Sequence, residues 1–391
     1  MEREQYTMNH IIKEKQDKAL ELFASLEPPS FSYGLGMSID GSGLNIHQMM
    51  NEFELYPASK VQVSAETKIE QWNLQSAPPE IINLYFDALI PATETKLTAL
   101  HYAFLHDALI IRIPKNTKIQ NPIQLKSFLA HSSAEHLILI AEPYSHITII
   151  ETAESGPEAA YKSQMVQVFA HENAQVTWST LHHLHSQTKA LLTKRASVAH
   201  DATVTWIDIL LGNAFTQFQL RSTLAQPGAQ STALNAFLAA ENQQSDLNIE
   251  MFHEAPYTKS AQHTKGIATD YANTIVRGNI HIDAHASNSV GHQKTDALLI
   301  GEKARCNAVP ILEVENNEVM CSHGATIGHL NMEQLFYALS RGLDEETDTQ
   351  MILTGFLEPI IRHLPSDELK DNVTHLLIKK IKVGKEHEIS N

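Results

Sequence analysis

Asn173-Ala174-Gln175-Val176-Thr177-Trp178 is answered by Asp201-Ala202-Thr203-Val204-Thr205-Trp206. Both stretches run turn former, alanine, then residues alternating toward a tryptophan, and they recur about 28 residues apart. Gly228-Ala229-Gln230-Ser231-Thr232-Ala233 reads as a third copy at nearly the same interval. Outward from these copies a period of two continues, at Ala108–Ile113, Leu137–Ile140, His146–Glu151, Gln164–Phe169, Gln175–Leu181 and Thr203–Leu210. It goes on at Phe215–Leu220, Ala233–Leu238, Leu247–His253, Asn279–Asp283 and Val309–Val314. Short alternating strands in a loose repeat fit a β-solenoid, in which each coil buries its inner face on the next. They fit a jelly-roll sandwich equally well. The residues alone leave both open.

Both ends of the chain read as helical. Gln5 to Leu26 carries Ile11, Ile12 and Ala19 to Phe23 near helical spacing, and Pro28-Pro29 stops it. Tyr33 to Leu44 is glycine-rich and loop-like, Glu80 to Leu89 reads as a short helix, and Leu97 to Phe104 as a helical or extended link. At the other end, Asn331 is an N-cap with Gln334 three residues on, and Gly342 ends that helix. Asp344 caps a second helix with the apolar face Ile352, Leu353, Phe356, Leu357, Ile360 and Ile361, interrupted by Pro359. Asp367 to Lys382 forms a third, with Leu369, Val373, Leu376, Leu377 and Ile381 inward.

Between body and tail lies Cys321-Ser322-His323-Gly324-Ala325-Thr326. On a strand, positions i and i+2 share a face, so Cys321 and His323 point the same way. Thiolate and imidazole together suit a soft or borderline metal such as iron or zinc. A free cysteine is also an ordinary small core residue, and both cysteines, Cys306 included, admit that reading.

Composition narrows the function classes. The 391 residues hold 29 Lys and Arg against 45 Asp and Glu, a formal charge of −16. Phosphate contacts need clustered cations, so a general nucleic-acid binder is disfavoured, as is an anionic membrane surface. The first residues, MEREQYTMNHIIKEKQ, have no apolar run, so the sequence reads as lacking a secretory signal. Two cysteines make no disulfide framework and fit a reducing cytoplasm.

Histidine is abundant, with 22 copies. His182, His183 and His185 form one candidate metal group, and His281, Asp283 and His285 with His292 another. Polar alternation is also what the solvent face of a half-buried strand looks like. There is no phosphate-binding G-x-x-x-x-G-K-S/T loop, no G-x-S-x-G elbow and no H-E-x-x-H.

The stretch Ala297 to Leu357 is more specific. Pro310 begins P-x-L-E-x-x-N-x-x-x-x-C-S-H-G-A-T, and Leu335 begins L-F-Y-x-x-S-R-G-L. These motifs resemble the C-terminal part of the SufB/SufD family, scaffold proteins of the SUF iron–sulfur cluster assembly machinery. Gly278 to Ile300 fits the family more loosely, and the likeness is faint before it. The SufB branch carries a cysteine just after its LLIGD-like strand, where this chain has Ala304, and a glutamate after the histidine, where it has Gly324. The C-S-H-G-A-T form is that of the SufD branch.

The resemblance implies a mainly β fold, a right-handed parallel β-helix at 106–328 between helical domains at 1–105 and 329–391. It implies a non-catalytic subunit that pairs with a SufB-like chain through the β-helix end bearing Cys321 and His323, and that forms a homodimer when isolated. It implies docking of a SufC-like ATPase on the helical tail, for which the Ile352–Ile361 face is the expected surface. It implies no resident cofactor, only a transient iron or iron–sulfur cluster shared with SufB, with His323 the chief ligand and Cys321 second. Two other classes remain on the residues alone. One is a metal-dependent enzyme on a cupin-like or β-helix body. The other is a sugar-binding β-helix, which would favour a secretion signal and exposed aromatic ladders.

Overall fold

Each copy of the repeated phrase is a corner followed by a strand. A computed structural model of the chain describes residues 2–33, 36–56, 60–64, 69–330 and 345–388. In it Asn173, Asp201 and Gly228 have φ of 56°, 52° and 77°. Glycine reaches that left-handed region freely, and Asn and Asp are its commonest other occupants. Their N–H groups donate to the carbonyls of His200, Pro227 and Pro256, each at the same corner one coil on. The alanine that follows is fully buried each time (Ala174, Ala202, Ala229), where a larger side chain has no room. The strands then align residue for residue, Trp178 beside Trp206 beside Ala233.

The chain begins with α1 (Glu2–Ser25), α2 (Ile46–Leu55), β1 (Gln62–Ser64), β2 (Glu70–Trp72), α3 (Pro79–Tyr85) and α4 (Lys96–Ala103). The strands of the body follow: β3 (Ala108–Ile113), β4 (Ile123–Leu129), β5 (Ser133–Ala141), β6 (His146–Ser155), β7 (Tyr161–Ala170), β8 (Gln175–His183), β9 (Lys189–Val198) and β10 (Thr203–Leu211). Next come β11 (Phe215–Leu224), β12 (Gln230–Ala239), β13 (Gln244–His253), β14 (Lys259–Thr269), β15 (Asn273–Ile282), β16 (Val290–Ile300), β17 (Arg305–Val314) and β18 (Met320–His329). The described tail is α5 (Glu345–Ile361) and α6 (Asp367–Glu388).

From β3 onward, even-numbered strands build one sheet and odd-numbered strands the other; β1 joins the even sheet and β2 the odd, making nine strands each. Every pairing from β3 and β4 onward is parallel, which excludes the antiparallel jelly roll. The result is a β-solenoid of about eight turns with helices at both ends. Only β1 on β4 and β2 on β3 pair antiparallel. The segment expected as an N-terminal helical domain also lays one strand on the first coil of each sheet.

Alternation does not mark β14, KSAQHTKGIAT, or β16, VGHQKTDALLI, as strands. The reason lies inside the solenoid, where their inward residues Gln262, Thr264, Gln293 and Thr295 are polar and yet buried. Apolar alternation disappears when the buried face is itself polar.

The helices lie on the outer faces. Thr95 caps α4 in a reciprocal box with Thr98. Tyr102 then packs with Ile110, Ile138 and Met165 of the odd sheet. In the tail, Leu353, Leu357, Ile360, Val373 and Leu377 pack on Ile150, Leu181, Ile207, Ile209 and Ile267 of the even sheet. This corrects the expectation that the Ile352–Ile361 face is free for an ATPase. At roughly 25 cal/mol per Å² of apolar surface, burying that stripe on the chain's own sheet is strongly favoured. Of that stretch, Gly355 and Glu358 stay outward, with Met351 just before it. The helix expected from Asn331 to Gly342, with Gln334, Leu335, Phe336, Leu339 and the cap Asp344, lies outside the described residues.

Candidate functional site

β18 is the last strand of its sheet among the described residues, paired only with β16. The register sets its faces: Cys321 lies beside Gly291, His323 beside Gln293, Ala325 beside Thr295 and Ile327 beside Ala297. Gly291, Gln293, Thr295 and Ala297 are all buried in the solenoid interior. Cys321 and His323 thus stand at interior positions of the final coil, with no described strand above them. His323 is exposed and Cys321 half-buried. Apolar residues at the same end are stranded likewise. Val314 is 42% exposed and Ile327 40%, whereas their neighbours one coil below, Ile282 and Ala297, are 0% and 4%. An edge strand with interior apolar side chains left open is a template for another chain.

The chemistry of the pair is specific. Burial pushes the Cys321 thiol above its ordinary range, against a smaller opposing effect of a backbone hydrogen bond at Gly291. The thiol is therefore protonated at neutral pH and becomes a ligand only when a metal displaces the proton. Among the described residues no three His, Cys, Asp or Glu side chains converge to hold a metal ion. One thiol and one imidazole fall short of the four ligands that zinc takes.

The other candidates separate. Cys306 is an interior residue of β17, buried among aliphatic side chains, and burial pushes its thiol up to about 12. It pairs with Thr274, while Cys321 packs with Leu312 and Ile280 at the far end of the strand. Six strand residues, roughly 20 Å, separate Cys306 from Leu312. His182 points inward and His183 outward, so the first histidine group is split by the sheet. His182 has no hydrogen-bond partner on either nitrogen, and burial, then Lys162 and Lys194, hold it well below its usual range. The backbone N–H of His185, in the next turn, donates to Ser155 Oγ.

His281 sits on the outer face of the odd sheet between Asp283 (2.8 Å) and Glu313 (3.0 Å). Burial works against its charge, but the hydrogen bonds that Glu313 and Asp283 accept from the ring, with their negative charge, outweigh burial and raise its pKa. Each ring nitrogen already holds a carboxylate. His292 lies on the even sheet against Ser322 Oγ at 2.8 Å, and His285 is exposed in a corner. His281 and Asp283 meet, but among the described residues the group does not converge to hold a metal ion.

Sequence reading missed a chain of charges inside the first coils. Lys162 Nζ donates to Glu135 at 2.6 Å, and Gln164 links Glu135 to Glu151. Trp178 Nε1 also donates to Glu151, and Lys194 Nζ donates to Thr180 and to Asp208 at 2.6 Å. All are buried. The signal was present: Glu151 and Asp208 occupy inward positions of otherwise apolar strands, where an unpaired charge is too costly to stand.

The fold is thus a parallel β-solenoid whose last described coil carries a cysteine and a histidine. Residues 124–356 match the family model described as SUF system FeS cluster assembly, SufBD core domain, and residues 50–125 match the SufBD protein N-terminal region. The chain belongs to the SufBD family. It is 29% identical over 293 residues to iron–sulfur cluster assembly SufBD family proteins of Staphylococcus saprophyticus, Staphylococcus aureus and Staphylococcus epidermidis. That match covers 74% of this chain and 63% of each relative. No described helix is long and apolar enough to cross a membrane.

Proposed function

We propose that this chain is the SufD-type subunit of a SufB–SufC–SufD scaffold, a non-catalytic partner that works in the cytoplasm. Its two unpaired thiols support a reducing compartment. The observation that carries the reading is the open final coil, which exposes Val314 and Ile327 beside His323 and Cys321. A second solenoid of the SufB type closes that end and adds the missing ligands. Iron, as cargo, is then held by His323 first and Cys321 second. The SufC-type ATPase docks on the C-terminal region through surfaces other than the buried Leu353–Ile361 stripe. Co-expression with SufB and SufC chains of one organism tests the assembly, since the three chains are expected to co-purify. Capture of neither partner would reject it.

His323→Ala is expected to leave folding and co-purification intact. It should lower iron and acid-labile sulfide in the complex by about tenfold or more, as expected when a metal ligand is lost. Cys321→Ala should act in the same direction and less. Normal iron and sulfide in His323→Ala complexes would make His323 a merely structural strand-end residue.

A further inference from the structure

On the outer face of the odd sheet lies a cavity of about 430 Å³. Its floor follows one row of the ladder, in which Met165, Thr193 and Gln219 stand on successive strands and Arg277 two strands further on. At about 4.8 Å per strand, Met165 and Arg277 stand roughly 19 Å apart, so the cavity is elongated. Pro28, Pro29 and Leu97 supply other walls. Two observations point to a ligand. Arg277 is fixed in place, its Nε and Nη2 donating to the buried Asp246 at 2.8, 3.1 and 3.3 Å and its guanidinium 4.1 Å from the Tyr33 ring. Its Nη1 has no partner among the described residues. Thr193, Gln217 and Gln219, all half-buried in the floor, likewise make no side-chain hydrogen bond among the described residues. The charges nearby leave room for an acid: Glu94 is taken by Arg195 at 2.8 Å, and Glu27 is exposed at the rim.

We propose that this cavity binds a small polyhydroxylated acid, its carboxylate or phosphate on Arg277 and its hydroxyl groups along Gln219, Gln217 and Thr193. A guanidinium is the side chain best matched to either anion, and one already held by a carboxylate and an aromatic ring loses little freedom on binding. The two amides and the threonine hydroxyl offer donors and acceptors together, which is what a hydroxyl group, itself both, pairs with. A purely apolar acid would cover these groups without satisfying them, and a neutral polyol would leave the guanidinium edge unpaired. Leu191 and Met165 offer aliphatic surface for the C–H faces of such a body. The volume falls in the range of about 300–1,000 Å³ usual for small-molecule sites. The site lies outside the solenoid, whereas Cys321 and His323 stand at interior positions of its last coil, so it does not rest on the partners proposed above.

Isothermal titration of the full-length chain with gluconate, sorbitol 6-phosphate and sorbitol tests this, since the three share one polyol body and differ in the acid. At least one acid is expected to bind with a Kd on the order of 1 mM or tighter, and sorbitol at least about tenfold more weakly. The tighter acid shows whether a carboxylate or a phosphate is preferred. Gln219→Glu sets a like charge in the floor and should weaken the bound acid about tenfold or more. Arg277→Gln should bring the acid down to the affinity of sorbitol. That variant also strips Asp246 of its partner, so its urea midpoint is measured first, and Gln219→Glu decides if it does not fold. Failure of both acids to bind at about ten times the expected Kd, sorbitol binding as tightly as the acids, or an unchanged affinity in Gln219→Glu overturns the proposal.

Discussion

Lys194→Met is expected to destabilise the solenoid by about 3–5 kcal/mol, the usual result of removing one partner from a buried ion pair. Lys194 Nζ lies 2.6 Å from Asp208 and 4.0 Å from Glu151, and all three side chains are at most 3% exposed. Burial already raises the Asp208 pKa, and Lys194 only partly offsets it. Without the ammonium, Asp208 and Glu151 face each other in a dry interior, and at least one must take up a proton to remain folded. The double variant Lys194→Met/Asp208→Leu should recover much of the loss, because two apolar residues leave fewer orphaned charges. Urea unfolding of the two variants and wild type decides the matter. A Lys194→Met midpoint within error of wild type would mean that water reaches the carboxylates and that the interior is not dry.

Acid should unfold the protein unusually early. His101, His136, His182 and His253 are buried, and burial lowers the pKa of each, to about 3 for His136 and about 4 for His253. In the unfolded chain these rings titrate near 6.5. Below that pH the unfolded state binds protons that the folded state refuses, so stability falls as pH drops through 6.5 and goes on falling toward the folded values. Each ring costs about 1 kcal/mol over the first pH unit below 6.5, hence about 4 kcal/mol together. His281 runs the other way, since its raised pKa gives stability that is present below 6.5 and lost as pH rises through the folded value. Because His281 is already largely protonated in the fold at pH 6.5, it offsets only about 0.4 kcal/mol over that unit, and the net expected loss between pH 6.5 and 5.5 is about 3.5 kcal/mol. His136→Gln, which keeps an amide near Gln167, should flatten the slope by about one proton relative to wild type. Equal urea midpoints at pH 6.5 and 5.5 in wild type would show that these rings are charged inside the fold, against their placement.

Much of the architecture was legible in residue order. The Asn-Ala, Asp-Ala and Gly-Ala corners with their alternating strands located a coil repeat, because a left-handed corner and a small buried residue each restrict which amino acids fit. The motif around Cys321 and His323 located the candidate site, because strand alternation puts i and i+2 on one face without any knowledge of the rest. The chain's family was legible there as well.

Three matters were decided only by the tertiary structure. Parallel stacking was one, since alternation is the same in a sandwich and in a solenoid, and only the register between distant strands separates them. The fate of the tail's apolar stripe was another: Leu353 and Leu357 look the same in sequence whether they bury on Ile207 and Ile209 or await a partner. The last was which histidines are neighbours. His182 and His183 are adjacent in sequence yet lie on opposite faces of one sheet, while His323 comes to rest over Gln293, thirty residues earlier, because one coil of this chain is about that long. Sequence adjacency is a property of the chain, and proximity in a solenoid is a property of its coil length.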